Sequence, residues 1–417
     1  MSSGWKGSTL TTLLSCFSGV GGLDRGLEAA GFVTLGCLEI DRDARATLAE
    51  NRPAWRLLEP SDVVEAGRAL APQDVGIAPR ELTLLAGGPP CQPFSKAAQW
   101  AAPKRGIKDD RGTTVDGMMD LAASFLPRAI LMENVAGFLS GKNNATARIK
   151  KRLREINSMA GTRYRLRSWV VDAADYGVPQ HRARAIMIAF RDGEPAPSVL
   201  PRPHGEDHRT VWDALEDRVP DPVPSARGGY ADLLTSIPEG SNYQHLTARG
   251  GGEEVELFGY RTRYWSFLLK LAKDRPAWTL PASPGPSTGP FHWSGRPLAS
   301  SERMLLQGFP ADWRLTENER VNVRLAGNAT PPPLAEAMGK LILHLLEKPG
   351  EPMNAETIRA SLATTRSTKP VPPPADPAPL PPRWKAVVGP QIPHPGKGAG
   401  PAGYHRASSS NSVIVTD

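Results

Sequence analysis

The sequence predicts an α/β protein in which a doubly wound, mostly parallel sheet is joined to a smaller, irregular second domain. Short apolar runs alternate with helical patterns up to about residue 190, as in sheets with helices on both faces. From Asp192 onward prolines, glycines, histidines and arginines are scattered without periodicity, and a helical pattern returns only at Ser301. A chain of 417 residues can bury a full core and is expected to hold two globular parts and a tail.

The apolar runs and turn residues place the elements in order. Gly31 is expected to end the first helix as its C-cap, and Ser301 is expected to cap a later helix at its N-terminus. The final helix begins near Pro333, which suits a first helical turn. The strands are predicted at residues 11–16, 32–38, 82–86, 129–132 and 184–190, and the helices at 26–30, 301–307 and 333–348.

These elements divide the chain into four segments. Residues 1–191 form the first part of the sheet domain, 192–297 the irregular domain, and 298–348 the return to the sheet domain. Residues 349–417 are rich in Pro, Ala, Ser and Thr, and we expect them to be disordered. No internal repeat is seen.

The composition narrows the class of protein. Cys16, Cys37 and Cys91 are the three cysteines, and their spacing does not suit a metal site, which favours a reducing compartment. Met1 leads into a polar stretch, so neither a signal peptide nor a membrane span is expected. The formal net charge of +7 is compatible with a polyanionic partner, although many soluble proteins are mildly basic.

Cys91 lies in an unusually rigid setting, Gly87-Gly88-Pro89-Pro90-Cys91-Gln92-Pro93-Phe94-Ser95, directly after a predicted strand. The prolines fix the backbone and the glycines allow a sharp turn and close approach to a ligand. An isolated cysteine is most often a small core side chain. Because this sequence is poor material for a strand or helix interior, we interpret Cys91 as a nucleophile.

A second loop, Phe17-Ser18-Gly19-Val20-Gly21-Gly22, lies between a predicted strand and helix, where backbone N–H groups meet ligands. Glu39 follows Gly19 by twenty residues and is placed to bind ribose hydroxyls. The third glycine of a dinucleotide-binding loop would fall at Asp24. A nucleoside cofactor without a pyrophosphate therefore fits better than a nicotinamide dinucleotide, and a glycine turn without a ligand is the simpler alternative.

Charged residues follow two further predicted strands. Glu133 ends the strand at 129–132 and could be a buried proton donor or merely a carboxylate near a helix start. In Gln180-His181-Arg182-Ala183-Arg184 the two arginines share one face, which fits either a site or a solvated edge strand. His181 is expected at the surface.

Taken together, these motifs resemble those of the cytosine-C5 DNA methyltransferases that use S-adenosylmethionine, over residues 13–345. Besides the loops around Gly19 and Cys91, the matching segments are Glu133-Asn134-Val135, the segment from Gln180 to Arg184, Gln307-Gly308-Phe309-Pro310 and Gly327-Asn328-Ala329-Thr330. Six motifs in the family's order are hard to obtain by chance. One departure is Ser15 before Cys16-Phe17, where the family commonly has Asp.

The resemblance implies a mechanism and assigns residues to it. Cys91 would add to C6 of a cytosine extruded from the duplex, with Glu133 on the N3/N4 edge, Arg184 on O2 and Arg182 in support. No metal is implied. The implied cofactor residues are Phe17, Ser18, Gly19, Val20, Gly21, Gly22, Glu39, Ile40, Asp62, Val63, Pro90 and Asn328.

The resemblance also implies partners. Double-stranded DNA would be the substrate of a monomeric, bacterial, cytoplasmic and nucleoid-associated enzyme, with a restriction or defence protein as its cognate partner. Residues 94–114, which are basic, would form a mobile loop over the DNA, and residues 192–297 would read the target around Thr279-Leu280. The candidate contacts there are Arg202, His204, His208, Arg209, Arg249, Arg261 and Arg263. An RNA methyltransferase of the same fold and a DNA-binding protein without catalysis are the alternatives.

Overall fold

The computed structural model describes residues 11–90, 110–139, 145–193, 196–205, 207–216, 218–247, 257–259, 264–362 and 366–385. Six strands form one sheet in the order β2-β1-β3-β4-β6-β5. The strands are β1 Thr12–Cys16, β2 Val33–Leu38, β3 Leu84–Gly87, β4 Ala129–Val135, β5 Arg167–Asp172 and β6 Ala183–Phe190. The predicted doubly wound, mostly parallel sheet is confirmed, and β5, which pairs with β6, was missed because its residues are only partly buried.

The direction of β6 decides which residues meet at one edge of the sheet. β1, β2, β3 and β4 pair in parallel, whereas β6 runs antiparallel to β4 and pairs Arg184 with Val135. The beginning of β6 therefore lies at the same edge of the sheet as the ends of the parallel strands. Residues that precede β6 and residues that follow β3 and β4 meet there.

Helices cover both faces of the sheet. On one face α3 (Val63–Ala69), α4 (Asp110–Phe125) and α5 (Thr146–Ala160) contribute to a core with Leu14, Leu85 and Ile130. On the other face α1 (Gly22–Ala30) packs on the long helix α9 (Pro332–Glu347). The remaining helices are α2 (Arg42–Asn51), α6 (Val211–Leu215), α7 (Ser300–Leu306), α8 (Glu319–Asn328), α10 (Ala355–Ser361) and α11 (Pro382–Lys385).

Of the three predicted helix ends, Gly31 at the end of α1 and Pro333 near the start of α9 are confirmed, and Ser301 at the start of α7 is wrong. Gly31 caps α1 with φ 109°, a backbone conformation that glycine adopts without strain. Ser301 is not an N-cap, since α7 begins one residue earlier after Ala299, whose N–H donates to Glu302. The basic segment 94–114 is not a loop throughout, because α4 begins at Asp110; residues 94–109 lie outside the described residues.

The irregular region, residues 196–297, contributes no strand to the sheet among the positions that are described. Short 3-10 helices, Ala231–Ser236 and Tyr243–Leu246, alternate with isolated bridges such as Phe267 with Thr288. Leu233, Leu268 and Phe291 help to form its own apolar core. The texture change in the sequence thus corresponds to a change in architecture, while the exact domain boundaries stay a prediction.

The expectation that the whole of 349–417 is disordered is wrong for residues 351–362 and 366–385, which we call the C-terminal arm. Ile358 is buried in the core beside α9, and Leu380 and Trp384 are buried in the core of the irregular region. Between them Trp212 donates to the carbonyl of Lys369. A proline-rich segment of low hydrophobicity can be ordered when a few large side chains anchor it to another domain. No helix in the described part of the chain is long and apolar enough to cross a membrane.

Candidate active site

Glu133 and Arg184 form a buried ion pair at the edge of the sheet where β4 ends and β6 begins. The Nε of Arg184 lies 2.7 Å from the Oε1 of Glu133, and Thr330 donates its hydroxyl to Oε2 at 3.1 Å. Both charged side chains are about nine-tenths buried. Burying charges is costly unless they are paired, so the pair fixes a carboxylate and a guanidinium side by side in one defined geometry.

The segment that leads to Cys91 runs against this pair. A Cβ built on Gly88 would lie 3.2 Å from the carbonyl oxygen of Glu133, so only glycine allows so close an approach without displacement. Asn134 donates its side-chain N–H to the carbonyl of Pro89 at 2.7 Å. Cys91 itself lies outside the described residues, but the chain entering it is tied to β4 at Glu133 and Asn134.

Arg182 lies beside the ion pair but serves the protein backbone. Its guanidinium donates to the carbonyls of Gly327 and Ala329 at 2.8 and 3.1 Å, and the residue is almost completely buried. It thereby fixes the end of α8, where Asn328 is exposed, and the start of the connection to α9, where Thr330 contacts Glu133. The sequence predicted Arg182 at the site, and the structure places it one layer behind Glu133 and Arg184.

The glycine loop after β1 lies at the same edge. Gly19 and Gly21 have φ values of 55° and 82°, and nothing lies within 4 Å of a Cβ built on Gly19. A Cβ on Gly22 would lie only 2.0 Å from the carbonyl oxygen of Thr330. Through Thr330 this loop and the Glu133–Arg184 pair belong to one continuous site.

Glu39 shapes the glycine loop from the end of β2. Its two carboxylate oxygens accept the backbone N–H groups of Gly19 and Asp41, both at 2.7 Å. Burial raises the pKa of the Glu39 carboxyl, and these backbone hydrogen bonds partly oppose that rise. Ile40, the next residue, is an exposed apolar side chain that could cover a flat ligand.

The other predicted cofactor residues divide into open and enclosed ones. Phe17 is partly buried beside Gly87, and Asp62 caps α3 by accepting the N–H of Val64 at 2.7 Å. Pro90 is exposed. Ser18, Val20 and Val63 are buried, so their side chains support the site from within and any ligand contact would come from their backbone.

Asp24 is a site residue whose role the sequence did not reveal. It is fully buried beneath the glycine loop, and Ser18 and Cys37 donate to its Oδ1. Burial raises the pKa of the Asp24 carboxyl, although hydrogen bonds from Ser15 and Ser18 oppose that rise. The signal was present in the sequence, since Asp24 stands at the position where a dinucleotide-binding loop has its third glycine.

Gln180 was placed in a motif by the sequence but its role was missed. It is completely buried, donates to the carbonyl of Leu306 in α7 and accepts the N–H of Leu280. Ala277 forms a parallel bridge with it. Gln180 therefore joins the irregular region to the sheet directly before the two arginines.

Several predicted nucleic-acid contacts are occupied within the protein. His204 and Arg209 are buried, so they offer no surface to DNA, and their prediction as contacts is wrong. Arg202 and His208 both bind Asp175; burial alone would raise the pKa of this carboxyl, but their hydrogen bonds lower it overall. Arg249, Arg261 and Arg263 lie outside the described residues.

Comparisons with known proteins find similar sequences over most of the chain. Residues 11–344 match the family model of the C-5 cytosine-specific DNA methylases. The chain is 31% identical to the Type II methyltransferase M.SacI of Streptomyces achromogenes over 80% of its own length and 93% of that protein. It is also 31% identical to the Type II methyltransferase M.Eco47II of Escherichia coli, over 81% of its own length and 80% of that protein.

A solved structure shows the same fold. Methyltransferase EhMeth of Entamoeba histolytica superposes with a TM-score of 0.53 at 16% identity and covers 81% of this chain and 99% of its own. The family model ends at residue 344, so the C-terminal arm lies beyond the part that the family defines.

Proposed function

This chain belongs to the C-5 cytosine-specific DNA methylase family and is a DNA (cytosine-5-)-methyltransferase, and we propose how its residues perform the reaction. The observation that carries the proposal is the buried Glu133–Arg184 pair, against which the segment leading to Cys91 is packed. A carboxyl group and a guanidinium at one edge of the sheet, with the nucleophile Cys91 following Pro90 in the chain, form the set that cytosine chemistry requires.

The cofactor proposed for the glycine loop is S-adenosylmethionine. The residues fit it, because Gly19 leaves open space, Glu39 and Asp62 offer carboxylates to hydroxyl and amino groups, and Asp24 replaces the third glycine of a pyrophosphate-binding loop. When bound, S-adenosylmethionine would supply the electrophilic methyl group that C5 accepts. Phe17 and Ile40 would flank its adenine, and Asn328 would face its amino-acid end.

The protein's task is to make C5 of cytosine nucleophilic. The thiolate of Cys91 forms a bond to C6, and the electron pair of the C5–C6 double bond moves toward C5. Glu133 hydrogen-bonds the N3/N4 edge and keeps N3 protonated, while Arg184 donates to O2 and stabilises the charge that develops on the ring. After C5 is methylated, loss of its proton restores the double bond and expels the Cys91 thiolate.

Arg182 and Thr330 act as positioning residues in this scheme. Arg182 holds the carbonyls of Gly327 and Ala329, and Thr330 holds one carboxylate oxygen of Glu133. The target base reaches them only after leaving the duplex, because Cys91 cannot approach C6 of a stacked cytosine. Double-stranded DNA is the proposed substrate, and a role beside a restriction enzyme fits the Type II relatives.

The mechanism is tested by trapping. Bisulfite sequencing of DNA from cells that express the protein first gives the target sequence. A duplex with 5-fluorocytosine at that target should then form a covalent complex with the purified protein, since fluorine at C5 blocks the final elimination. Cys91→Ser should form none and should still bind the duplex. If the active wild-type protein methylates ordinary DNA and is never trapped, the covalent mechanism is wrong.

A further inference from the structure

Four aromatic side chains lie together on the surface beside the proposed active site, and we call them the aromatic ledge: Tyr264, Trp265, Trp278 and His181. Tyr264, Trp265 and Trp278 are 46, 51 and 44% exposed. The ring centroids of Trp265 and Trp278 are 5.8 Å apart, and those of His181 and Trp278 are 6.1 Å apart. The rings of Trp265, Trp278 and His181 are therefore neighbours, and Tyr264 directly precedes Trp265 in the chain.

The ledge is fixed to the strand that carries the site arginines. His181 directly precedes Arg182, and its backbone N–H donates to the carbonyl of Ala277 at 2.8 Å. Thr279 donates its hydroxyl back to the carbonyl of His181 at 2.7 Å. Trp278 lies between these two hydrogen bonds, so its position relative to Arg184 is set by the backbone at the site edge of the sheet.

The other half of the ledge is also held by its backbone. Asn242 donates its side-chain N–H to the carbonyl of Trp265 at 2.8 Å, and the N–H of Phe267 donates to the carbonyl of Tyr264 at 2.9 Å. Rings that are rigid before binding lose little conformational freedom when a partner covers them. Such a surface is typical of recognition rather than of chance exposure.

Exposure of tryptophan is unusual in this molecule. Among the described residues Trp55, Trp212, Trp313 and Trp384 are buried, whereas Trp265 and Trp278 are exposed. Two adjacent exposed indoles need a partner with flat apolar faces. The family reaction supplies one, because extrusion of a cytosine uncovers the faces of the bases on either side and of its former pairing partner.

We propose that the aromatic ledge stacks on DNA bases uncovered when the target cytosine leaves the duplex, with Trp278 as the principal contact. The inference rests on the base extrusion in the proposed function. Stacking on protein aromatics replaces part of the base stacking that extrusion removes, and it tolerates any base because each has an apolar face. The ledge thus favours the extruded state without reading sequence.

The test uses the full-length protein and duplexes carrying the target sequence found by bisulfite sequencing. Trp278→Ala is expected to lower kcat/KM for methylation about 10-fold, the scale of one base-stacking contact, whereas Trp278→Phe should retain most of the rate. A duplex with a mismatched target cytosine, which leaves the stack more easily, should restore most of the Trp278→Ala rate. Met159→Ala, an exposed apolar change elsewhere, is the control and should match wild type.

Three results would overturn the proposal. The first is wild-type methylation by both Trp278→Ala and a Trp265→Ala/Trp278→Ala double variant that melt at the wild-type temperature. The second is an equal loss of rate on matched and mismatched duplexes, which would mean a general role in binding or folding. The third is unchanged methylation with an altered oligomeric state in light scattering, which would mark a protein interface. Trapping of the wild type on 5-fluorocytosine DNA separates these results from failure of the catalytic mechanism.

Discussion

In the sheet region the strands exchange backbone hydrogen bonds along their lengths, whereas the irregular region combines scattered backbone hydrogen bonds with individual side chains that bind distant backbone groups. Leu13, Leu84 and Ala129 succeed one another across the sheet in register. In the irregular region Lys270 donates instead to the carbonyl of Ile237, and Ser236 donates to that of Pro379 in the C-terminal arm. The first arrangement tolerates many side chains, and the second depends on particular ones.

This difference separates two kinds of damage. Substitutions at the sheet edge should abolish methyl transfer and leave the irregular region intact. Substitutions at the anchors of the irregular region should destabilise that region and leave the glycine loop intact. Single substitutions in each region test whether the two kinds of damage occur separately.

Replacement of Glu133 by Gln should break the chemistry alone. The amide cannot give a proton to N3 and leaves Arg184 without its carboxylate, so methyl transfer should fall by about 100- to 10,000-fold. Single-turnover methylation measures the loss, and anisotropy with a labelled duplex should show DNA binding within about threefold of wild type, which we set as the limit of a local effect. Glu336→Gln, which disrupts the buried pair with Lys340 in α9, is the control and should retain activity.

Replacement of Trp384 by Ala should damage the irregular region alone. Trp384 stacks on Tyr230 with ring centroids 5.7 Å apart, and its removal should lower the free energy of unfolding there by about 3–5 kcal/mol. Hydrogen exchange should accelerate at residues 231–236, while affinity for S-adenosylmethionine is unchanged. Arg383→Ala removes an exposed pair with Asp232 and should cost only about 0–1 kcal/mol. Slow exchange in the Trp384 variant would show that the arm is not an anchor.

Two substitutions in the glycine loop distinguish the effect of a steric clash from that of backbone strain. Gly22→Ala drives a Cβ into the carbonyl of Thr330 and should cost about 1–3 kcal/mol while displacing the contact with Glu133. Gly19→Ala meets open space and bears only the strain of its positive φ, about 1–2 kcal/mol. Both variants should bind S-adenosylmethionine more weakly by calorimetry, but only Gly22→Ala should also lower the rate at saturating cofactor.

The stability of the protein should depend slightly on pH because of the buried Lys270. Burial lowers the pKa of Lys270 to about 8, against 10.5 for the free side chain, although Glu239 opposes the shift. Between these values the unfolded chain binds one more proton than the folded one, so stability should rise with pH across this window. The gain should be on the order of 1 kcal/mol. Thermal melts of Lys270→Met should lack this rise, and an equal slope in both proteins would contradict the assignment.

The sequence predicted the sheet region well because its signals are local and periodic. β1, β2, β4 and β6 are continuous apolar runs, and Gly31 ends α1 as glycine usually does. Glu133, Arg184 and the glycine loop were predicted together because each lies at or beside the end or the beginning of a strand at one edge. Their contacts with Thr330 and Gly88 were not, since these depend on how separate segments fold onto one another.

The irregular region and the arm show why the remaining features were missed. His204 and Arg209 looked like surface cations, yet tertiary packing buries them. The arm has the composition of a disordered tail, and its order depends on Ile358, Leu380 and Trp384 reaching two different cores. Single anchors at long sequence separation leave no periodic pattern to detect.

The course of the C-terminal arm fixes where additions to this protein would emerge. Trp384 stacks on Tyr230, so Lys385 lies beside the irregular region. The helix α9, which packs on the sheet domain, ends much earlier in the chain, at Glu347. A nuclease or reporter domain fused at Lys385 would begin beside the irregular region. The same fusion at residue 348 would instead remove the C-terminal arm and, with it, the anchors of the irregular region.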